Sequence, residues 1–200
     1  MASLLPSKAS QKRTARTIVA VHESLSVPGL EVSAHELAKT IAMFVPHVFP
    51  RAEGLELRAV VTVQKALIDI MEINIETENE RSRLFEIFRC FAASLAEELL
   101  RTAEVFVDFA DLDGTPQLTT MGGSRFNEVE VVRSALGYRL VTVGGVSIVD
   151  HPRLGRNIYI GSVVTSATEE QIRKALDGMV SQSSVNIVPD SSSPSSGSDE

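Results

Sequence analysis

Two hundred residues with 44% hydrophobic content and a net charge of −7 suit a single folded body, because a domain of about 150 residues buries roughly 70% of the surface its unfolded chain exposes. Cys90 is the single cysteine, which excludes a disulfide framework; its setting in "LFEIFRCFAASL" reads as a buried helix face in a reducing compartment. No apolar run approaches the ~20 residues that cross a bilayer. The opening "MASLLPSKASQKRTAR" lacks the apolar stretch of a secretory signal, so the expectation is a soluble, cytoplasmic protein.

Charge divides the chain into three parts. Residues 1–16 carry Lys8, Lys12, Arg13 and Arg16 without an acid, residues 17–180 carry a net −8, and residues 181–200 carry −3 with nine serines. The expected organisation is a flexible basic arm over 1–16, one globular domain over 17–180, and a disordered Ser-rich acidic tail over 181–200. One apolar island, "VNIVP", interrupts the tail and reads as a short docking motif.

"RTIVAVHES" opens the body with a strand-like run, and "SVPGLEV" supplies a turn and a short extended piece. Ser33 and Glu36 form a capping-box spacing that predicts a helix through Leu37, Ile41 and Phe44 or Val45, stopped by Pro46 and Pro50. "LELRAVVTV" alternates as a half-buried strand over 55–63, and "ALIDIMEINIE" reads as a second extended stretch. Thr77 and Glu80 then cap the strongest helix, whose apolar face is Leu84, Ile87, Phe88, Phe91, Leu95 and Leu99, with Glu97 and Arg101 placed to pair on its surface.

"VFVDFADLDGTPQL" predicts a strand, a turn and a strand, and "SRFNEVEVVRSALG" a helix from Ser124 to a stop at Gly137. Gly144-Gly145 marks a hairpin in "YRLVTVGGVSIVD", "IYIGSVVTS" continues an antiparallel meander, and Ser166 with Glu169 caps a last helix. The fold class expected is α+β: a mostly antiparallel sheet of five to seven strands with three or four packed helices in a single domain.

Within the quoted stretch, Asp111-Leu112-Asp113-Gly114-Thr115 after a hydrophobic strand resembles the first motif of the haloacid dehalogenase superfamily of phosphohydrolases. The resemblance implies Asp111 as nucleophile toward phosphorus, Asp113 as general acid and base, and Mg²⁺ as counter-ion, on a parallel doubly wound sheet. The match covers five residues. Lys174 is the only later lysine, Asp150 and Asp177 form no acidic pair, and about 110 residues precede the motif; a turn between strands accounts for the same residues.

"MGGS" and "VGGVS" fit no phosphate-loop spacing, and His22, His35, His47 and His151 fit no metal-ligand spacing, so neither a cofactor nor a metal is expected. The loop "VDHPRLGRN" gathers His151, Arg153 and Arg156 as a candidate anion or partner-carboxylate site. Lys8, Lys12, Arg13 and Arg16 are the candidate contacts to nucleic acid or an anionic membrane.

The leading expectation is a non-enzymatic, self-associating structural or assembly protein, a homo-oligomer whose layout resembles small viral matrix and capsid components. Its tail would take protein partners, and its serines would accept phosphate. The alternatives are an accessory protein that binds nucleic acid or a membrane surface through the arm, and a Mg²⁺-dependent phosphohydrolase using Asp111 and Asp113.

Overall fold

The computed structural model describes residues 17–19, 29–120 and 122–185. The expected basic arm, and the expected tail from residue 186 on, lie outside the described residues. Five strands form the main sheet: β1 (Thr17–Val19), β2 (Leu30–Glu36), β3 (Arg58–Lys65), β4 (Val107–Phe109) and, last in sequence, β7 (Ile158–Thr165). Their order is β1-β2-β3-β7-β4 and every pairing is antiparallel. A separate two-stranded sheet is the hairpin of β5 (Arg139–Val143) and β6 (Val146–Asp150). The helices are two single turns, α1 (Lys39–Ala42) and α2 (Val45–Val48), and three longer elements, α3 (Ile75–Thr102), α4 (Glu128–Leu136) and α5 (Glu169–Val185). The chain is thus α+β with a mostly antiparallel sheet.

The main sheet lies between two apolar layers. On one face, Phe88, Phe91, Leu95 and Leu99 of α3 and Ile172 and Leu176 of α5 meet Leu30, Val32, Val60 and Val163 of the sheet. On the other, Val131 and Val132 of α4, Val149 of the hairpin and Phe49 and Phe126 of the loops cover Ala59, Val61, Val63, Ile158 and Val164. This sandwiching corrects the expectation of a half-buried strand at 55–63. β3 is central and buried on both sides, so its polar residues are satisfied internally: Thr62 donates to the Gly161 carbonyl at 3.3 Å and the Gln64 amide to the Leu84 carbonyl at 3.1 Å.

Long-range pairing overrides the first predicted helix. All seven residues of β2, Ser33 and Glu36 included, pair with β3, and Ser33 Oγ bonds His35 Nε2 at 2.8 Å instead of capping. The prolines begin short helical turns rather than ending a long one: Pro46 sits in the first turn of α2 and Pro50 opens a 3-10 turn, Pro50–Ala52. The stretch "ALIDIMEIN" is a string of turns, not a strand, tied down by Asn157, whose Oδ1 accepts from the Ile70 N–H at 2.9 Å.

The pillar helix α3 appears with its predicted apolar face. Its cap is Asn74, with Thr77 as the reciprocal partner three residues in, at 2.9 and 3.0 Å. Glu80 accepts instead from the Leu67 N–H at 2.7 Å and pairs with Arg83. The surface pair is Glu98–Arg101 rather than Glu97–Arg101. Cys90 is exposed, a correction that follows from helical geometry: two residues past Phe88, it is turned some 200° from the buried face.

α4 ends at Gly137 as expected, but Asn127 caps it, accepting from Glu130 N–H at 3.2 Å, in place of Ser124. Thr168 and Gln171 bond reciprocally before α5, in place of Ser166 and Glu169; Ser166 Oγ accepts from the Phe106 N–H at 2.9 Å. α5 also runs five residues past the expected domain boundary at 180. The Gly144-Gly145 turn is present with φ of 57° and 86°, values a β-carbon would strain. The meander is not: β7 leaves the hairpin and inserts between β3 and β4.

Candidate functional site

The loop that raises the phosphohydrolase resemblance is built around its own first aspartate. Asp111 Oδ1 accepts from the N–H groups of Asp113 and Thr115, both at 2.9 Å, and Oδ2 from the Gln117 amide at 3.3 Å. Within the turn Asp111 N–H donates to the Thr115 carbonyl and Gly114 N–H to the Asp111 carbonyl, both at 2.9 Å, and Phe126 N–H closes onto the Gly114 carbonyl at 2.9 Å. The carboxylate therefore organises a turn. Asp113 is exposed and lies 3.7 Å from Arg125. Among the described residues no second strand follows the turn; Ala110 makes an isolated bridge with Pro116. The strand before Asp111 pairs antiparallel with its neighbour, unlike the parallel sheet the resemblance implies. No cluster of three or more metal-ligating side chains occurs among the described residues.

Beside this loop the sheet has an unfinished edge. β4 pairs only with Val163–Thr165 of the eight-residue β7, so Ile158–Ser162 have no strand beyond them among the described residues. Glu128 Oε1 accepts the Ser162 N–H at 3.0 Å, where a strand carbonyl would otherwise stand. Enclosure against β7 pushes this carboxyl up to about 8 despite that bond. The Tyr159 hydroxyl is raised by burial and by the nearby charges of Glu128 and Asp111.

Within the loop after β6 only His151 faces inward. His151 is buried, its Nδ1 accepts from the Arg153 and Leu154 N–H groups at 3.2 and 3.0 Å, and its ring stands edge-on to Tyr138 at 4.8 Å. Nε2 faces Glu31 at 3.5 Å, and burial lowers the ring's basicity more than Glu31 raises it. Arg153 is bound by Glu31. Arg156 is half-exposed and makes a looser ion pair with Asp150 at 3.7 Å, beyond hydrogen-bond distance. Arg58, Arg81, Arg83, Arg89, Arg101, Arg133 and Arg173 also have acidic partners. Lys8, Lys12, Arg13 and Arg16 lie outside the described residues.

Arg156 borders an apolar groove of about 400 Å³ floored by Ile158, Ile160 and Val129, with Ile70, Met71 and Ile73 on one wall and Val143, Val146 and Ile148 of the hairpin on the other. Two of its lining side chains are exposed, Ile73 at 87% and Val146 at 63%. Sequence reasoning missed this surface because "ALIDIMEINIE" carries the composition of a buried strand. Glu128 left no local signal either, since its partner lies 34 residues away. No protein-family model matches the chain, and no curated protein matches it in sequence.

Proposed function

We propose that the chain is a non-enzymatic assembly protein that works by protein–protein contact and self-associates through the groove between residues 67–75 and the β5–β6 hairpin. The observation that carries this reading is the pair of exposed apolar side chains, Ile73 and Val146, that line opposite sides of a groove of the same character. Scattered surface leucines are ordinary, but a contiguous apolar patch is a feature of contact surfaces. Burying such surface returns about 25 cal/mol per Å². The internal use of Asp111, His151 and Arg153 fits a body whose polar side chains hold loops in place rather than face a substrate.

Sedimentation equilibrium of the full chain tests the proposal. Ile73 and Val146 are exposed, so Ile73→Asp and Val146→Asp should leave the fold intact by circular dichroism and shift the chain toward monomer. A wild-type chain that stays monomeric at millimolar concentration would refute the reading.

A further inference from the structure

Among the described residues, the ion pairs that join residues 139–156 to the main sheet both end on Glu31 of β2, which holds Arg153 and faces His151. That segment contains the β5–β6 hairpin, whose Val143, Val146 and Ile148 form one wall of the groove. The hairpin pairs with no strand of the main sheet, so packing of Leu140 and Val149 and the Glu31 contact hold it in place.

The contact requires one protonation state of His151. Nδ1 accepts from the N–H groups of Arg153 and Leu154 at 3.2 and 3.0 Å, so that nitrogen carries no proton. The single proton of the ring is therefore on Nε2, which faces the Glu31 carboxylate at 3.5 Å. His151 and Gly155 close the same turn with two main-chain bonds, each 2.9 Å. A second proton can enter only at Nδ1, where it would point at two N–H donors, and both of those bonds would have to break. The charged and titratable groups around the buried ring are Glu31 of β2, Tyr138 ahead of β5 and Arg153 of the loop. Glu31 favours a charged ring, whereas burial and Arg153 oppose it, and the opposing effects win.

We infer that His151 is a proton-operated latch: uptake of a proton at Nδ1 opens the 151–155 turn, draws Arg153 from Glu31 and loosens the hairpin wall of the groove. The open loop, like the unfolded chain, takes up this proton near pH 6.5 and the closed loop resists it. Closure is therefore full above 6.5 and is lost as pH falls.

Imidazole nitrogen NMR of the full chain at neutral pH should show His151 as the Nε2–H tautomer, and an Nδ1–H ring would overturn the latch. Amide exchange at Leu154 and Gly155, measured against the unstructured rate, should lose protection at least about threefold between pH 7 and 5. Protection that stays level over that range would also overturn it. His151→Asn keeps an oxygen able to accept from the N–H two residues on and has no group that titrates here, so its protection should stay level. A variant that loses protection in acid as the wild type does would assign the titration to another group and sink the latch. Coupling to the groove rests on the self-association proposed above and has its own readout, sedimentation equilibrium at the same two pH values. The wild-type dissociation constant should rise at least about twofold in acid, and that of His151→Asn by less, because protonation favours the state with the loose wall. Equal acid responses of the two chains would overturn the coupling. A wild type that never associates would remove the groove reading and leave the latch to be judged by exchange alone.

Discussion

The side chain of Glu128 accepts the main-chain N–H of Ser162 at 3.0 Å, a helix residue completing the hydrogen bonding of a strand edge. The carboxyl keeps its proton to about pH 8 in the folded chain, against an ordinary value near 4.5. An acid whose folded value is raised contributes stability that is full below 4.5 and lost as pH rises through 8. Glu128→Gln retains the acceptor and has no charge to desolvate. Its thermal midpoint should match the wild type at pH 4 and exceed it at pH 8 by on the order of 2 kcal/mol, about 4–8 °C for a domain this size.

His35 works in the opposite sense. It is buried on β2, bonded to Ser33 through Nε2, with Nδ1 unpartnered, and burial lowers it to about 4. The unfolded chain takes up this proton near 6.5 and the folded chain does not, so stability present above pH 6.5 is lost toward pH 4. Chemical denaturation of His35→Gln should show a shallower fall between pH 7 and 4.5 than the wild type, by about 2 kcal/mol.

Asp108 is fully buried and accepts from the N–H groups of Phe109, Gln117 and Leu118 at 2.7, 3.2 and 2.9 Å and from Thr119 Oγ1 at 2.5 Å. It fastens the loop after β4 to the sheet. Asp108→Ala removes the acceptor of these four donors, of which the Phe109 N–H bond is buried, and should lower unfolding free energy by about 1–3 kcal/mol. Asp108→Asn, which keeps one acceptor oxygen, should be milder in urea titration.

Gly161 sits under Phe88, where a β-carbon would lie 2.5 Å from the ring. Gly161→Ala must push the aromatic or the strand, and overpacking of this kind costs about 1–3 kcal/mol. Because Phe88 also packs edge-on to Phe109 at 5.8 Å, near-ultraviolet dichroism should change along with the denaturation midpoint.

Asp111→Asn gives a clear readout of the turn assignment. Its carboxylate is spent on Asp113, Thr115 and Gln117, so the substitution should lower the thermal midpoint by a few degrees with or without Mg²⁺. Phosphomonoester hydrolysis that needs Mg²⁺ and vanishes in this variant would reinstate the phosphohydrolase role.

Composition and short-range pattern determined by themselves the α+β class, the pillar helix over 84–99, the helix ending at Gly137 and the hairpin at Gly144-Gly145. Those signals operate within a few residues: apolar spacing near 3.6, a carbonyl needing a cap, a turn needing positive φ. Only the tertiary structure decided that Ser33–Glu36 is a strand, because seven ladder pairs with β3 outweigh one capping box. It alone placed β7 between β3 and β4, turned Cys90 to solvent, gave Arg153 to Glu31 and left Arg156 at the groove. Each of these outcomes depends on which distant segment supplies the partner, and hydrophobic pattern fixes which face of a strand is buried without fixing its neighbour.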